Sequence, residues 1–276
     1  MKTINIKMIL SYDGSRYLGW QRLGGDQRRC SIQGYIEEVL EEQIGCKIRI
    51  SGSGRTDAGV HAMGQVANFH VPSAFLLFRK VHSEKQKKFQ TGNAQDGLDA
   101  ILHDLRTSCN QVLPLDIRIL SMEQVSGSFH SRYSATRKTY EYHVDLREVP
   151  NVFLRKYVLW VPEVLDFHAM RSCSRLFLGS HDFSAFCTQT KREQDFVRTI
   201  YDFQIREEGT QLVFSVCGDG FLYHMVRILV GTLLEVGKGQ RTLEQVKNAL
   251  ETGNRQQAGA TVSSVGLFLK SVEYKS

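Results

Sequence analysis

Only four prolines interrupt the 276 residues, so long strands and helices can run without a missing amide donor. The six cysteines (Cys30, Cys46, Cys109, Cys173, Cys187 and Cys217) include no CxxC pair and no Cys/His cluster at zinc spacing. That excludes a zinc ribbon or a dithiol redox motif, and the thiols read as reduced and structural, with no metal expected. No apolar run approaches membrane-spanning length. The first residues, MKTINIKMILSYDG, place Ile4, Ile6, Met8 and Leu10 on one strand face instead of building the apolar core of a signal peptide. A cytoplasmic protein without a membrane partner is expected. No Gly-Lys-Ser/Thr follows any glycine turn, which excludes a P-loop.

What is present begins with charge. A formal net charge of +6 with 42% hydrophobic residues describes a globular chain that can bury a full core, as one large domain or two modest ones. The positive balance favours a polyanionic partner. After the first strand comes a polar, aromatic loop, SYDGSRYLGWQRLGGDQRRC. A helix should follow, with Ile32, Tyr35, Ile36, Val39, Leu40 and Ile44 at helical spacing and Ser31 as its N-cap. Residues Phe78 to Gly97, polar and lysine-rich, read as a surface insertion. A second half then starts over. TYEYHVDL sets Tyr140, Tyr142, Val144 and Leu146 on one strand face, a helix is expected from Phe167 to Phe177 with Gly179 ending it, and QLVFSVCGDG is another strand and turn. Strand, helix and strand recur without a residue-level repeat. The division expected is 1–110 and 111–276.

The stretch RISGSGRTDAGVHAMGQVANFH, residues 49 to 70, has two glycines, Gly52 and Gly54, at the spacing of a dinucleotide loop. Such a loop must open an amphipathic helix. Here Ala67, Phe69 and Val71 alternate with Asn68 and His70, which is strand periodicity, and Cys46 to Ile50 reads as a strand on the other side. The segment is strand, glycine turn, strand. It is either a plain polar hairpin or a device that aims Arg55, Thr56 and Asp57 at something.

FLYHMVRILVGTLLEVGKG is a helix apolar nearly all round and should be buried. Arg227 lies on it with Val230, Gly231 and Leu234. Its guanidinium must snorkel out or meet a buried acid, either in a plain core ion pair or in a catalytic one. Gly231 would let another backbone come close.

GSGRTDAGVHA, YDGSRYLGWQ, FHSRYSATRKTYEYHV and FLYHMVRILVGTLLEVGKG, with SIQGYIEEVLEEQIG, GSHDFSAF and GLFLKSVEY, together resemble the TruA family of tRNA pseudouridine synthases over nearly the whole chain. The resemblance implies an α+β fold of two similar halves, with antiparallel sheets joined across a central basic cleft and helices on the outer face. It implies a homodimer acting on tRNA uridines near positions 38 to 40 of the anticodon stem-loop. Asp57 takes the role of catalytic carboxylate, Arg227 that of its ion-pair partner, and Tyr140 that of a platform stacking on the target uracil. Arg55 is assigned to the RNA around the displaced base, and Leu267 to packing near it.

That chemistry suits these residue types. Isomerising uridine breaks the N1–C1′ bond and rejoins uracil through C5, with no net redox change, so no cofactor is implied. Glycoside hydrolases need two carboxylates because an alkoxide leaves poorly. A uracil anion leaves more readily, and a motif with one acid can suffice. Arg16, Arg22, Arg28, Arg29, Arg132, Lys138, Lys191 and Arg192 are candidates for phosphate contact, each against the ordinary reading of a solvated charge. The insertion and the segment LDAILHDLRTSCNQVLPLDIRIL depart from the family pattern, which points to altered site choice as the variant reading. Two other classes compete: a nucleotide-dependent dehydrogenase using the GxG turn, and a non-catalytic tRNA-folding protein that would have no need of Asp57 and Arg227.

Overall fold

The computed structural model describes residues 3–73, 94–188 and 195–275. The chain forms two compact units, residues 1–135 and Thr136–Tyr274. Residues 111–135 group with the first unit for a physical reason. Residue 110 lies inside a helix, and the strand after it pairs back onto the first strand of the chain.

In the first unit, β1 (Thr3–Tyr12) lies between β3 (His61–Pro72) and β4 (Ile117–Val125), antiparallel to both, with the short β2 (Ser51–Gly52) on β3. Ile6, Met8 and Leu10 stand opposite Phe69, Ala67 and Gln65 and are fully buried, as the alternation of β1 predicts. Helix α1 (Ile32–Ile44) buries Ile32, Ile36, Val39 and Leu40. The Ser31 side chain accepts from the Gly34 N–H at its start. Helix α2 (Ala94–Val112) packs on α1 and β4. Its first four residues are the end of the expected insertion, whose remaining residues lie outside those described.

Cys46 to Ile50 is not a strand. Ile48 and Ile50 are buried and Lys47 and Arg49 exposed, so the alternation does report burial. The ladder is missing because acids on α1 take the donors. The Ile48 N–H donates to Glu41 Oε1 at 3.2 Å and the Ile50 N–H to Glu37 Oε1 at 3.1 Å. Glu37 is itself fully buried and neutralised by Arg49 at 3.3 Å and Arg22 at 3.7 Å, as a buried carboxylate must be.

The second unit has the strand order β10-β5-β9-β8-β7, with β5 (Ala135–Asp145), β7 (Gly179–Asp182), β8 (Val197–Glu208), β9 (Gln211–Gly218) and β10 (Leu267–Tyr274). The two-residue β6 (Leu159–Trp160) pairs parallel to β5. Tyr140, Tyr142 and Val144 face Val216, Phe214 and Leu212 across β5 and β9, and all are buried. Phe203 and Ile205 on β8 continue that face, and Phe177 covers it. Helix α3 (Phe167–Ser174) is capped by Asp166 and runs into a 3-10 turn at Arg175–Phe177, ending where the sequence places it.

Helix α4 (Met225–Gly237) leaves only Arg227 and Glu235 outside the buried class. Each large apolar side chain buried there contributes about 1.5–3 kcal/mol. Gly231 does what its position suggests. A Cβ there would fall inside the Ala260 carbonyl, so this helix accepts a crossing backbone that a side chain would exclude. Helix α5 (Leu243–Thr252) carries a full capping box, Thr242 with Gln245. Both units are antiparallel sheets packed with helices, an α+β class.

Candidate active site

The turn that carries Asp57 is tied down by a network of polar bonds. The Ser53 N–H donates to the Val66 carbonyl at 2.7 Å, closing the turn onto β3. The Ser53 hydroxyl donates to Gln65 Oε1 at 2.6 Å, and Gln65 Nε2 donates to the Gly54 carbonyl at 3.1 Å and to the Tyr12 hydroxyl at 3.4 Å. Tyr12 and Thr56 share a hydroxyl hydrogen bond of 2.8 Å. Burial pushes the Tyr12 phenol up to about 12, against the pull of Thr56 and Gln65, so it stays a neutral hydroxyl within this network.

The aromatic loop before α1 closes the other side. The Trp20 N–H donates to the Thr56 carbonyl at 2.9 Å and the Gly59 N–H to the Tyr17 carbonyl at 3.3 Å. The Trp20 indole lies where a Cβ on Gly52 would stand, 2.6 Å away. The glycine of the supposed GxG loop therefore admits an indole, and β3 follows the turn where a dinucleotide loop would need a helix. Asp57 is half-buried, its carbonyl accepts from the Val60 N–H at 3.1 Å, and Arg55 is exposed. The backbone that carries this carboxylate is therefore fixed.

Opposite the helices of this unit, Asn5 and Asn68 form a second buried network. Asn68 Nδ2 donates to Asn5 Oδ1 at 2.9 Å, and Asn5 Nδ2 donates to the Phe129 carbonyl at 2.8 Å. The Ser131 N–H donates to Asn68 Oδ1 at 2.9 Å, and its hydroxyl donates to the Ser51 carbonyl. This ties FHSRYS to β2 and sets the exposed Arg132 beside the base of the Asp57 turn.

In the second unit, Tyr140 is buried and meets Phe221 edge-on, centroids 5.2 Å apart at 82°. Arg227 Nε donates to the Val262 carbonyl at 2.7 Å, and the Tyr142 hydroxyl donates to the Ser263 carbonyl at 2.7 Å. Burial raises the Tyr142 phenol above its ordinary value, while the Arg227 charge draws it back. Residues 262–266 are thus pinned between α4 and β5, and they deliver the buried Leu267 to the start of β10. Arg227 and Tyr142 hold the same segment, the one that leads into Leu267.

A family model described as tRNA pseudouridine synthase matches residues 8–133 and 173–275. The chain belongs to this family. The matched spans include Arg55, Asp57, Arg227 and Leu267, whereas Tyr140 falls between them. Relatives cover the gap. "tRNA pseudouridine synthase A" of Bacillus sp. (strain KSM-64) is 40% identical over 270 residues, 98% of this chain and 99% of the relative. Proteins of the same name are 40% identical in Geobacillus sp. (strain WCH70), over 98% of each chain, and 38% identical in Clostridium kluyveri, over 98% of this chain and 99% of the relative. Members of the family are isomerases acting on tRNA, and so is this chain. No described helix is long and apolar enough to cross a membrane.

The basic candidates divide by what already neutralises them. Arg16 pairs with Asp116, Arg22 with Glu37 at 3.7 Å, Arg28 with Glu41 at 2.8 Å and Arg29 with Glu38 at 2.7 Å. Hydrogen bonds from Arg29 hold the Glu38 carboxyl below its usual range. Among the described residues no carboxylate lies within ion-pair distance of Arg132, which rests over the Tyr133 ring at 5.8 Å. Lys138, half-buried on β5, stands opposite Gly218, and Lys191 and Arg192 lie outside the described residues. Sequence reasoning missed Tyr12, Ser53 and Gln65. The signal was there in Gln65, a polar residue on the apolar face of β3.

Proposed function

We propose that this chain converts uridine to pseudouridine in the anticodon stem-loop of tRNA, around positions 38 to 40, with Asp57 as the catalytic carboxylate. The observation that carries the reading is the Asp57 turn itself: bonds from Ser53, Gln65, Tyr12 and Trp20 fix the backbone that carries its one acid, and that acid is half-buried. Such preorganisation suits a group that must be held in place for reaction. Arg227 is its ion-pair partner and keeps it ionised. Tyr140 stacks on the displaced uracil, Leu267 packs near it, and Arg55 meets the surrounding RNA. Of the basic residues, Arg132 leads the phosphate contacts, and Lys138, Lys191 and Arg192 are proposed beside it on the sequence pattern alone. Arg16, Arg22, Arg28 and Arg29 contribute only by exchanging an acid for a phosphate. Two copies act together on tRNA in the cytoplasm, where light scattering of the free protein should return twice the chain mass.

The chemistry asks one carboxylate to act at the sugar or the ring while the N1–C1′ bond breaks and uracil turns to present C5. Asp57→Asn keeps size and removes charge. Single-turnover tritium release from uracil-C5-labelled tRNA should be abolished, while filter binding of the same RNA stays near the parental value. Tritium release at the parental rate from a folded Asp57→Asn protein would sink the assignment.

A further inference from the structure

His224 is the one residue other than glycine with a positive φ, 63°, among those described. Side chains other than those of asparagine, aspartate and histidine seldom enter that region, and residues held there cluster at functional sites. Here the cause is local. His224 Nδ1 and the Thr188 hydroxyl share a hydrogen bond of 2.9 Å, and the Met225 N–H turns back to the Leu222 carbonyl at 3.1 Å. The outcome is a stacked pair: the His224 ring lies on Tyr223 with centroids 3.8 Å apart at 25°.

The pair adds little to the core. Tyr223 is 49% exposed, in contrast to Tyr140 at 8%. Yet its place is central within the second unit. Phe221, two residues earlier, touches Tyr140, and His224 is the N-cap of α4, in whose first turn Arg227 lies. A strained backbone thus holds an exposed aromatic surface on the segment that joins the neighbour of Tyr140 to Arg227.

We propose that Tyr223, backed by His224, is a stacking platform for a second nucleobase of the tRNA, one flanking the target uridine. The proposal rests on the reading of Tyr140 as the platform for the target itself. When a uridine leaves its stack, its neighbour loses a partner. An exposed ring nearby replaces that partner, and because every base has a π-face it accepts different flanking bases. Tyr223 therefore holds the strand open without reading its sequence, and His224 sets the angle of the ring.

The test uses anticodon-arm RNA with 2-aminopurine at each flank of the target in turn, bound to parent, Tyr223→Ala, Tyr223→Phe and His224→Asn. Asparagine tolerates the left-handed backbone and lacks the ring. Stacking should quench the probe at one flank with the parent and with Tyr223→Phe, less with His224→Asn, and not with Tyr223→Ala. On natural tRNA, kcat/KM should fall about tenfold in Tyr223→Ala, and Tyr223→Phe should recover most of it. Equal quenching by parent and Tyr223→Ala at both flanks overturns the proposal. So does an equal loss of kcat/KM in Tyr223→Phe, which would assign the effect to the hydroxyl. Asp57→Asn serves as the second axis. The fluorescence reads binding alone and judges the platform even if that variant stays active, whereas an inert Asp57→Asn beside a fully parental Tyr223→Ala sinks the platform only.

Discussion

The Asp57 turn and the Arg227 helix solve one problem, fixing a charged side chain, by opposite means. The turn is tied by directional bonds from Ser53, Gln65, Tyr12, Thr56 and Trp20. The helix is buried on nearly every side, and the bond from Arg227 Nε to the Val262 carbonyl anchors the guanidinium to the crossing segment of chain. Directional bonds fix an orientation but each contributes only about 1 kcal/mol net. Packing contributes more and fixes shape without direction. A loop can therefore be loosened at its acid without unfolding, while the helix cannot lose its fit without losing the unit around it.

The largest effect follows from the helix. Gly231→Val would drive a branched side chain into the Ala260 carbonyl, a backbone atom that cannot swing aside. We expect a destabilisation of about 3 kcal/mol, read by urea unfolding, with activity lost in step with folded protein. A stable, active Gly231→Val would mean that packing does not govern this region, and the contrast with the turn would collapse.

The turn should fail in the other order. Gln65→Leu keeps volume on the core face of β3 but removes the acceptor of the Ser53 hydroxyl and the donor to the Gly54 carbonyl. The stability cost is about 2 kcal/mol, smaller than for Gly231→Val. In the folded protein kcat should nevertheless drop about tenfold or more, since small displacements of a reacting group are costly. If kcat per folded molecule held while stability fell, the network would be mere support for the fold.

The two regions were unequally legible in the sequence. The 3.6-residue period of α4, its burial and the close approach at Gly231 all follow from apolar spacing, which reports packing directly. Asp57 stood out because polar residues crowd between glycines. What holds it was hidden, because Tyr12, Gln65 and Thr56 come from β1, β3 and the turn, and no local pattern announces a bond between residues 53 positions apart. The misread strand at Cys46 to Ile50 has the same origin. Alternation told which side chains are buried and was silent about Glu37 and Glu41 taking the amides. The tie from Ser131 to Ser51, which sets Arg132 beside the turn, likewise spans 80 residues.

The smallest effect concerns charge at the edge of the turn. Arg29 already bonds Glu38 through two nitrogens, so a phosphate must displace an acid to reach it. Arg132 has no such competitor among the described residues. Each guanidinium that newly neutralises a phosphate releases a counterion and adds about 0.7–0.9 to the log-log salt slope of binding. Arg132→Gln should therefore lower the slope for tRNA by close to one contact and weaken binding severalfold at moderate salt. Arg29→Gln should change affinity less than about twofold, since it removes a charge that Glu38 already offsets. Filter binding across a salt series checks both variants together. If Arg29→Gln took the larger share of the slope, the ion pairs seen in the free protein would not predict which arginines meet RNA, and the basic loop before α1 would become the main phosphate track in place of the segment that Ser131 anchors.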